Sequence, residues 1–150
     1  MNDMLRNILG HMLGRRPLAL QVGAVCQHPK TGKLLLITSR GTHRWIIPKG
    51  WPMAGRSAGS AALQEAWEEA GIRGEVKDQP LGHYRYSKRQ DGGLKVQINV
   101  QVHLVRVTSL ADDFPEAAER NRSWFTPADA ADHVDEADLA ALLRAIPTQT

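Results

Sequence analysis

The chain has 150 residues, 42% of them hydrophobic and 23% charged, which suits one domain able to bury a core. Its formal net charge of +3 is too small to argue for nucleic acid, but it leaves room for a polyanionic small molecule. Cys26 is the only cysteine, which excludes an intrachain disulfide and points to a reducing compartment.

In residues 1–16, Met4, Leu5, Ile8, Leu9, Met12 and Leu13 recur at helical spacing, which predicts an amphipathic helical extension stopped by Pro17. It would pack on the domain or on a partner. No apolar run approaches the roughly 18 residues of a membrane helix. The N-terminus also shows no hydrophobic run closed by a small-residue cleavage site. The expectation is a cytoplasmic protein without a membrane partner, a monomer or homodimer, with residues 17–150 forming a single domain.

Leu18–Gln27 and Lys33–Ser39 read as strands joined by the turn His28-Pro-Lys-Thr-Gly32, hence a hairpin. Ser39–Arg44 is a loop and Trp45–Ile47 a short strand. The segment PKGWPMAG, from Pro48 to Gly55, is too rich in Pro and Gly for helix or central strand. From Ser57 to Ala70 the Ala-rich sequence predicts a helix, closed by Gly71 as a C′ residue. Glu75–Tyr86 reads as one strand and Ser87–Gly93 as a turn. In Leu94–Val107 the apolar residues alternate with a period of two, the clearest strand signal in the chain. An acidic loop, Leu110–Arg122, leads to a short strand at Ser123–Phe125. Two helices follow, Pro127–His133 and about Asp135–Ala145, the second apolar along Leu139, Leu142, Leu143 and Ile146. This order predicts an α+β layered fold.

Chemistry concentrates around the first helix. Leu63, Ala66, Trp67 and Ala70 make an apolar stripe, and Glu65, Glu68 and Glu69 stand on roughly the opposite side. Three carboxylates there are either a solvated acidic face or a hard oxygen ligand set for Mg²⁺ or Mn²⁺. Ahead of them, Ser39, Arg40, Arg44 and Lys49 offer bidentate and point-charge contacts to phosphate oxygens. Arg85, Lys88 and Arg89 mark the hairpin tip, either as a solvated turn or as a second phosphate-gripping wall.

The stretch Pro48–Ile72 resembles the box of the Nudix hydrolases, G-x5-E-x7-R-E-U-x-E-E-x-G-U with U aliphatic. Gly50, Glu65, Glu68, Glu69, Gly71 and Ile72 stand in register, with Ala66 at the first U position. Arg56 replaces the first Glu and Gln64 the Arg, two residues that pair with each other in the family. The order of elements matches the family's α/β/α sandwich around a mixed sheet.

The resemblance implies a pyrophosphohydrolase, most like the branch acting on diphosphoinositol and diadenosine polyphosphates, where Ser39-Arg40 falls at a phosphate-contacting pair. It implies that Glu65 and Glu69 hold Mg²⁺ (or Mn²⁺) with the backbone carbonyl around Lys49. Glu68 would ligate a second ion or take a proton from the attacking water. One acidic residue of the 110–122 loop would join them, with Glu116 favoured over Asp112, Asp113 and Glu119. Arg40, Arg44, Lys49, Gly50 and Lys88 would bind the phosphorylated substrate. Arg56, a departure from the box, is either a contact for an extra phosphate or a solvent-exposed arginine at the helix N-terminus. The alternative implied by the two departures is a catalytically silent Nudix-fold sensor of a phosphorylated metabolite.

Overall fold

The computed structural model describes residues 19–89 and 92–148. The helical extension expected over 1–16 lies outside the described residues. Two long strands, β1 (Ala19–Gln27) and β7 (Lys95–Leu110), run parallel through the middle of the sheet, in register from Ala19 opposite Ile98 to Gln27 opposite Arg106. Each divides its other edge between two partners. β1 takes β4 (Lys49–Gly50) on Val22 and Gly23, and β2 (Leu34–Thr38) on Cys26 and Gln27. β7 takes β6 (Gly82–Arg89) on its first half and β5 (Ile72–Val76) on its second, all antiparallel. β2 also pairs with β3 (Trp45–Ile46) and β8 (Arg122–Phe125). The α+β reading holds, with a mixed eight-stranded sheet.

Helix α1 (Ala58–Ala70) covers one face, while α2 (Pro127–His133) and α3 (Ala137–Arg144) cover the other. Burial from both sides explains why β2 is an unbroken apolar run instead of an alternating one. Leu35 and Ile37 pack toward α1, whereas Leu34 and Leu36 pack toward α2 and α3.

Three sequence expectations change. The strand expected over Glu75–Tyr86 is two strands, β5 and β6, on the same edge of β7. Between them, Lys77 N donates to Leu104 O at 2.9 Å and Leu81 N to Val102 O at 2.7 Å, so Asp78-Gln79-Pro80 is looped out. Pro80 has no N–H for a ladder, which makes it a suitable member of that loop.

The irregular segment after Pro48 contains β4, held by hydrogen bonds to β1 and flanked by Ala24 N donating to Pro48 O at 2.9 Å. Gly23 permits this approach. A Cβ there would press on Val100, Ile47 and the Pro48 carbonyl at 3.0–3.3 Å.

The third change is the rotation of α1. Ser57 Oγ caps its start by accepting from Ser60 N at 3.2 Å, and Gly71 ends it at φ 70°. Both ends lie where the sequence puts them. The buried stripe is Ala61, Ala62, Ala66 and Ala70, while Leu63 and Trp67 are half-buried at the rim. Small side chains let the helix axis approach the sheet, with Leu63 packed on the edge of that core and Trp67 at its rim. The same rotation carries Glu69 inward, to 6% exposure.

Candidate active site

Where α1 crosses above β4, the loop before β8 closes a cleft of about 590 Å³. Its floor is Lys49 and Gly50 of β4, its helix wall Glu65 and Glu69, and its third side Glu116 and Arg120. Gly50 leaves the space that the Glu65 carboxylate fills, because a Cβ at that position would push the carboxylate aside. The Lys49 backbone N–H donates to Glu69 Oε1 at 3.3 Å. The Lys49 side chain lies over the Tyr86 ring, 4.9 Å from its centroid. Tyr86 in turn donates its hydroxyl proton to Gln21 Oε1 at 2.6 Å.

The electrostatics follow from crowding. Burial raises the pKa of Glu65, and the hydrogen bond and charge of Glu69, then the charges of Glu68 and Glu116, raise it further. Glu69 is also raised by burial, offset in part by its contact with Glu65 and by the Arg120 charge. Burial lowers the pKa of Lys49, with the Glu69 carboxylate opposing that shift.

Arg120 was not singled out by the sequence, yet it is the best-anchored cation of the cleft. Its Nε donates to Glu116 Oε1 at 2.9 Å, Nη2 forms an ion pair with the same oxygen at 2.9 Å and lies 3.7 Å from Glu69 Oε1, and Nη1 donates to Thr38 O at 3.0 Å. The signal available in the sequence was the spacing of Glu116 and Arg120, an i, i+4 pair.

Of the residues proposed from sequence, the cleft brings together Arg40, Lys49, Gly50, Glu65, Glu69, Lys88 and Glu116. Four others lie elsewhere. Ser39 Oγ bonds Thr42 Oγ1 at 2.7 Å and accepts from Arg44 N at 3.2 Å, which closes its own loop. Arg44 reaches Glu136 at 3.0 Å and Asp135 at 3.7 Å, tying that loop to the start of α3. Glu68 accepts from Gln64 Nε2 at 3.1 Å and does not line the cleft. Arg56 donates to Ser60 Oγ at 3.3 Å and borders a separate pocket of about 290 Å³ with Gln64, Trp67 and Arg73. Among the loop carboxylates, Glu116 alone of the four candidates lines the cleft; Asp112 meets Arg122 at 3.5 Å and Glu119 meets Arg40 at 3.6 Å.

The donor chemistry fits a hard divalent cation. Glu65 and Glu69 present only oxygen, are in contact, and are each pushed toward the protonated form by burial, a strain that bound Mg²⁺ or Mn²⁺ would relieve. Among the described residues, no three acidic, His or Cys side chains converge into a closed ligand set. Glu68 points to Gln64, and Glu116 is already paired with Arg120.

The profile of the NUDIX domain matches residues 17–146. The chain belongs to the Nudix family. Among curated relatives it is 30% identical over 105 residues to Nudix hydrolase 12, mitochondrial, of Arabidopsis thaliana, covering 65% of this chain and 50% of that protein. It is 33% identical over 99 residues to human diphosphoinositol polyphosphate phosphohydrolase 3-alpha, covering 65% of this chain and 56% of that protein. The Nudix chain thus spans about half the length of these relatives. In fold it resembles the Ap4A hydrolase of C. elegans, with a TM-score of 0.59 at 22% identity over 85% of this chain and 95% of that one. It also resembles the NUDIX domain of Shewanella oneidensis NrtR complexed with ADP ribose, with a TM-score of 0.62 at 16% identity over 96% and 97% of the two chains. No helix among the described residues is long and apolar enough to cross a membrane.

Proposed function

We propose that this Nudix chain is a Mg²⁺- or Mn²⁺-dependent hydrolase of phosphoric anhydride bonds. Its substrates would be polyphosphorylated small molecules of the diadenosine polyphosphate or diphosphoinositol polyphosphate type. The observation that carries the reading is one cleft in which a crowded carboxylate pair, Glu65 and Glu69, faces the cations Arg40, Lys49 and Lys88. The carboxylates suit a metal ion and the cations suit phosphoryl oxygens, so the two charge sets divide the work. The name of the human relative, a diphosphoinositol polyphosphate phosphohydrolase, supports the second of these substrate types.

Glu65 and Glu69 would hold the ion, backed by Gly50, whose missing side chain leaves room for the Glu65 carboxylate. When bound, the ion neutralises phosphate charge and makes water a competent nucleophile near neutral pH. Lys49 and Lys88 present ammonium groups beside Tyr86 and Trp51, which keep those side chains extended into the cleft. Arg40 sits at the mouth, 59% exposed, able to grip the outer phosphates of a longer chain. With Glu65 engaged on the ion, Glu68 would take the proton of the attacking water after leaving Gln64 and turning into the cleft.

Chromatographic analysis of the products formed from diadenosine tetraphosphate, a diphosphoinositol polyphosphate, ADP-ribose and nucleoside triphosphates, with Mg²⁺ or with chelator, tests the proposal. Turnover of a polyphosphorylated member that disappears with chelator is the expected result. Tight binding of a member without turnover would replace the hydrolase by a metabolite sensor.

A further inference from the structure

Arg120 is held too firmly to be a bystander. Its side chain is 7% exposed, and the guanidinium reaches Glu116, Glu69 and the Thr38 carbonyl at once. The segment behind it is pinned as well: Thr38 N donates to Asn121 O at 2.9 Å, and Asn121 N donates to Thr38 Oγ1 at 2.9 Å. Glu116 is tied to α1 through its backbone N–H, which donates to Glu68 O at 3.0 Å. Moving the guanidinium out would therefore break β2 contacts and strand two carboxylates. A guanidinium is charged at any accessible pH and has no lone pair to offer a metal, so it cannot vacate its place by losing a proton.

We propose that Arg120 acts as a built-in cation occupying the position between Glu69 and Glu116 that a second divalent ion would otherwise take. The cleft then holds one divalent ion, on Glu65 and Glu69, and Glu116 is withheld from metal. This rests on the metal-binding reading of the cleft above. Two inorganic cations flanking Glu69 would add their repulsion to that of the fixed guanidinium, only 3.7 Å from Glu69 Oε1. Glu116 Oε1 already accepts the Nε–H bond of Arg120 and has the Nη2 of the same guanidinium at 2.9 Å, which occupies the oxygen a metal would need.

The test counts Mn²⁺ ions without turnover, by paramagnetic resonance of free Mn²⁺ and by calorimetry. The wild-type chain should bind one ion, lost in Glu69→Gln. Arg120→Gln should bind a second, and Arg120→Lys, which keeps a positive charge, should remain at one. Adding Glu116→Gln to Arg120→Gln should return the count to one. Because Arg120→Gln risks unfolding, Glu116→Gln alone is the second check, and it should leave the wild-type ion in place. Two ions on the wild-type chain, or a loss of about tenfold or more in affinity in Glu116→Gln, would overturn the role of Arg120 alone. An unchanged count in folded Arg120→Gln would do the same. No Mn²⁺ bound to wild type would overturn this inference together with the metal-dependent hydrolase.

Discussion

Two regions of this Nudix chain bury ionisable side chains, and they do so on opposite terms. His103, 1% exposed on β7, has both ring nitrogens engaged: Nδ1 lies 2.7 Å from Lys77 O and Nε2 lies 2.9 Å from Gln101 Nε2. A carbonyl only accepts, so Nδ1 carries the proton and Nε2 accepts from the Gln101 amide. The group is satisfied, and it anchors the start of the loop that separates β5 from β6. In the cleft, Glu65 and Glu69 are pressed together with Glu116 nearby, and burial drives the pair upward in pKa. The first arrangement serves the fold alone. The second leaves like charges unresolved, which costs stability and creates a place for a cation.

The widest separation between the two regions should come from Glu69→Gln. Turnover should fall by roughly a hundredfold or more, since even residues behind a metal ligand are worth ten- to a hundredfold. Melting in chelator should change little, because relief of the carboxylate crowding is offset by loss of the Glu69 charge beside Arg120. Near-normal kcat with saturating Mg²⁺ would break the comparison.

His103→Leu should do the reverse. It leaves the Lys77 carbonyl and the Gln101 amide without partners, at a cost of about 1–3 kcal/mol. Thermal melting should record the loss, while kcat of the folded fraction at low temperature stays unchanged.

The gentlest effect is a slope with pH. Glu65 has a folded pKa above its ordinary 4.5, so the folded chain keeps a proton that the unfolded chain gives up. That contribution is fully present below pH 4.5 and drains away as pH rises toward the raised folded value. In chelator, the melting temperature should therefore fall with rising pH above 4.5, and Glu65→Gln should flatten the fall. Adding Mg²⁺ should restore stability most at the high-pH end. A chelated wild-type chain whose melting is independent of pH would remove the crowded-carboxylate picture.

The legible parts of the molecule are those with local causes. Ser57 and Gly71 mark the ends of α1 because a capping hydroxyl and a left-handed glycine act within one turn. The alternation along β7 and the start of α2 at Pro127 are equally local. Arg40 and Arg44 show where local reasoning stops. They share one loop and one chemistry, yet Arg40 reaches the cleft and Arg44 is spent on Glu136, because α3 arrives from the far end of the chain. Arg120 is invisible to local reasoning for the same reason. Its partners Thr38 and Glu69 are distant in sequence, and only its spacing from Glu116 was visible.

The sequence by itself determined the α+β order, the helix carrying the three Glu residues, and a box whose spacing places Gly50 ahead of Glu65. These rest on periodicity and short-range sterics, which need no partner to act. The rotation of α1 was decided only in the tertiary structure. Alanines at 61, 62, 66 and 70 let the helix settle close on the sheet, and that settling buries Glu69 while leaving Glu68 at the side. The pairing of Arg120 with Glu116 and Glu69 was decided there too. Which carboxylates face one another depends on how three separate segments, β4, α1 and the loop before β8, close around a common space.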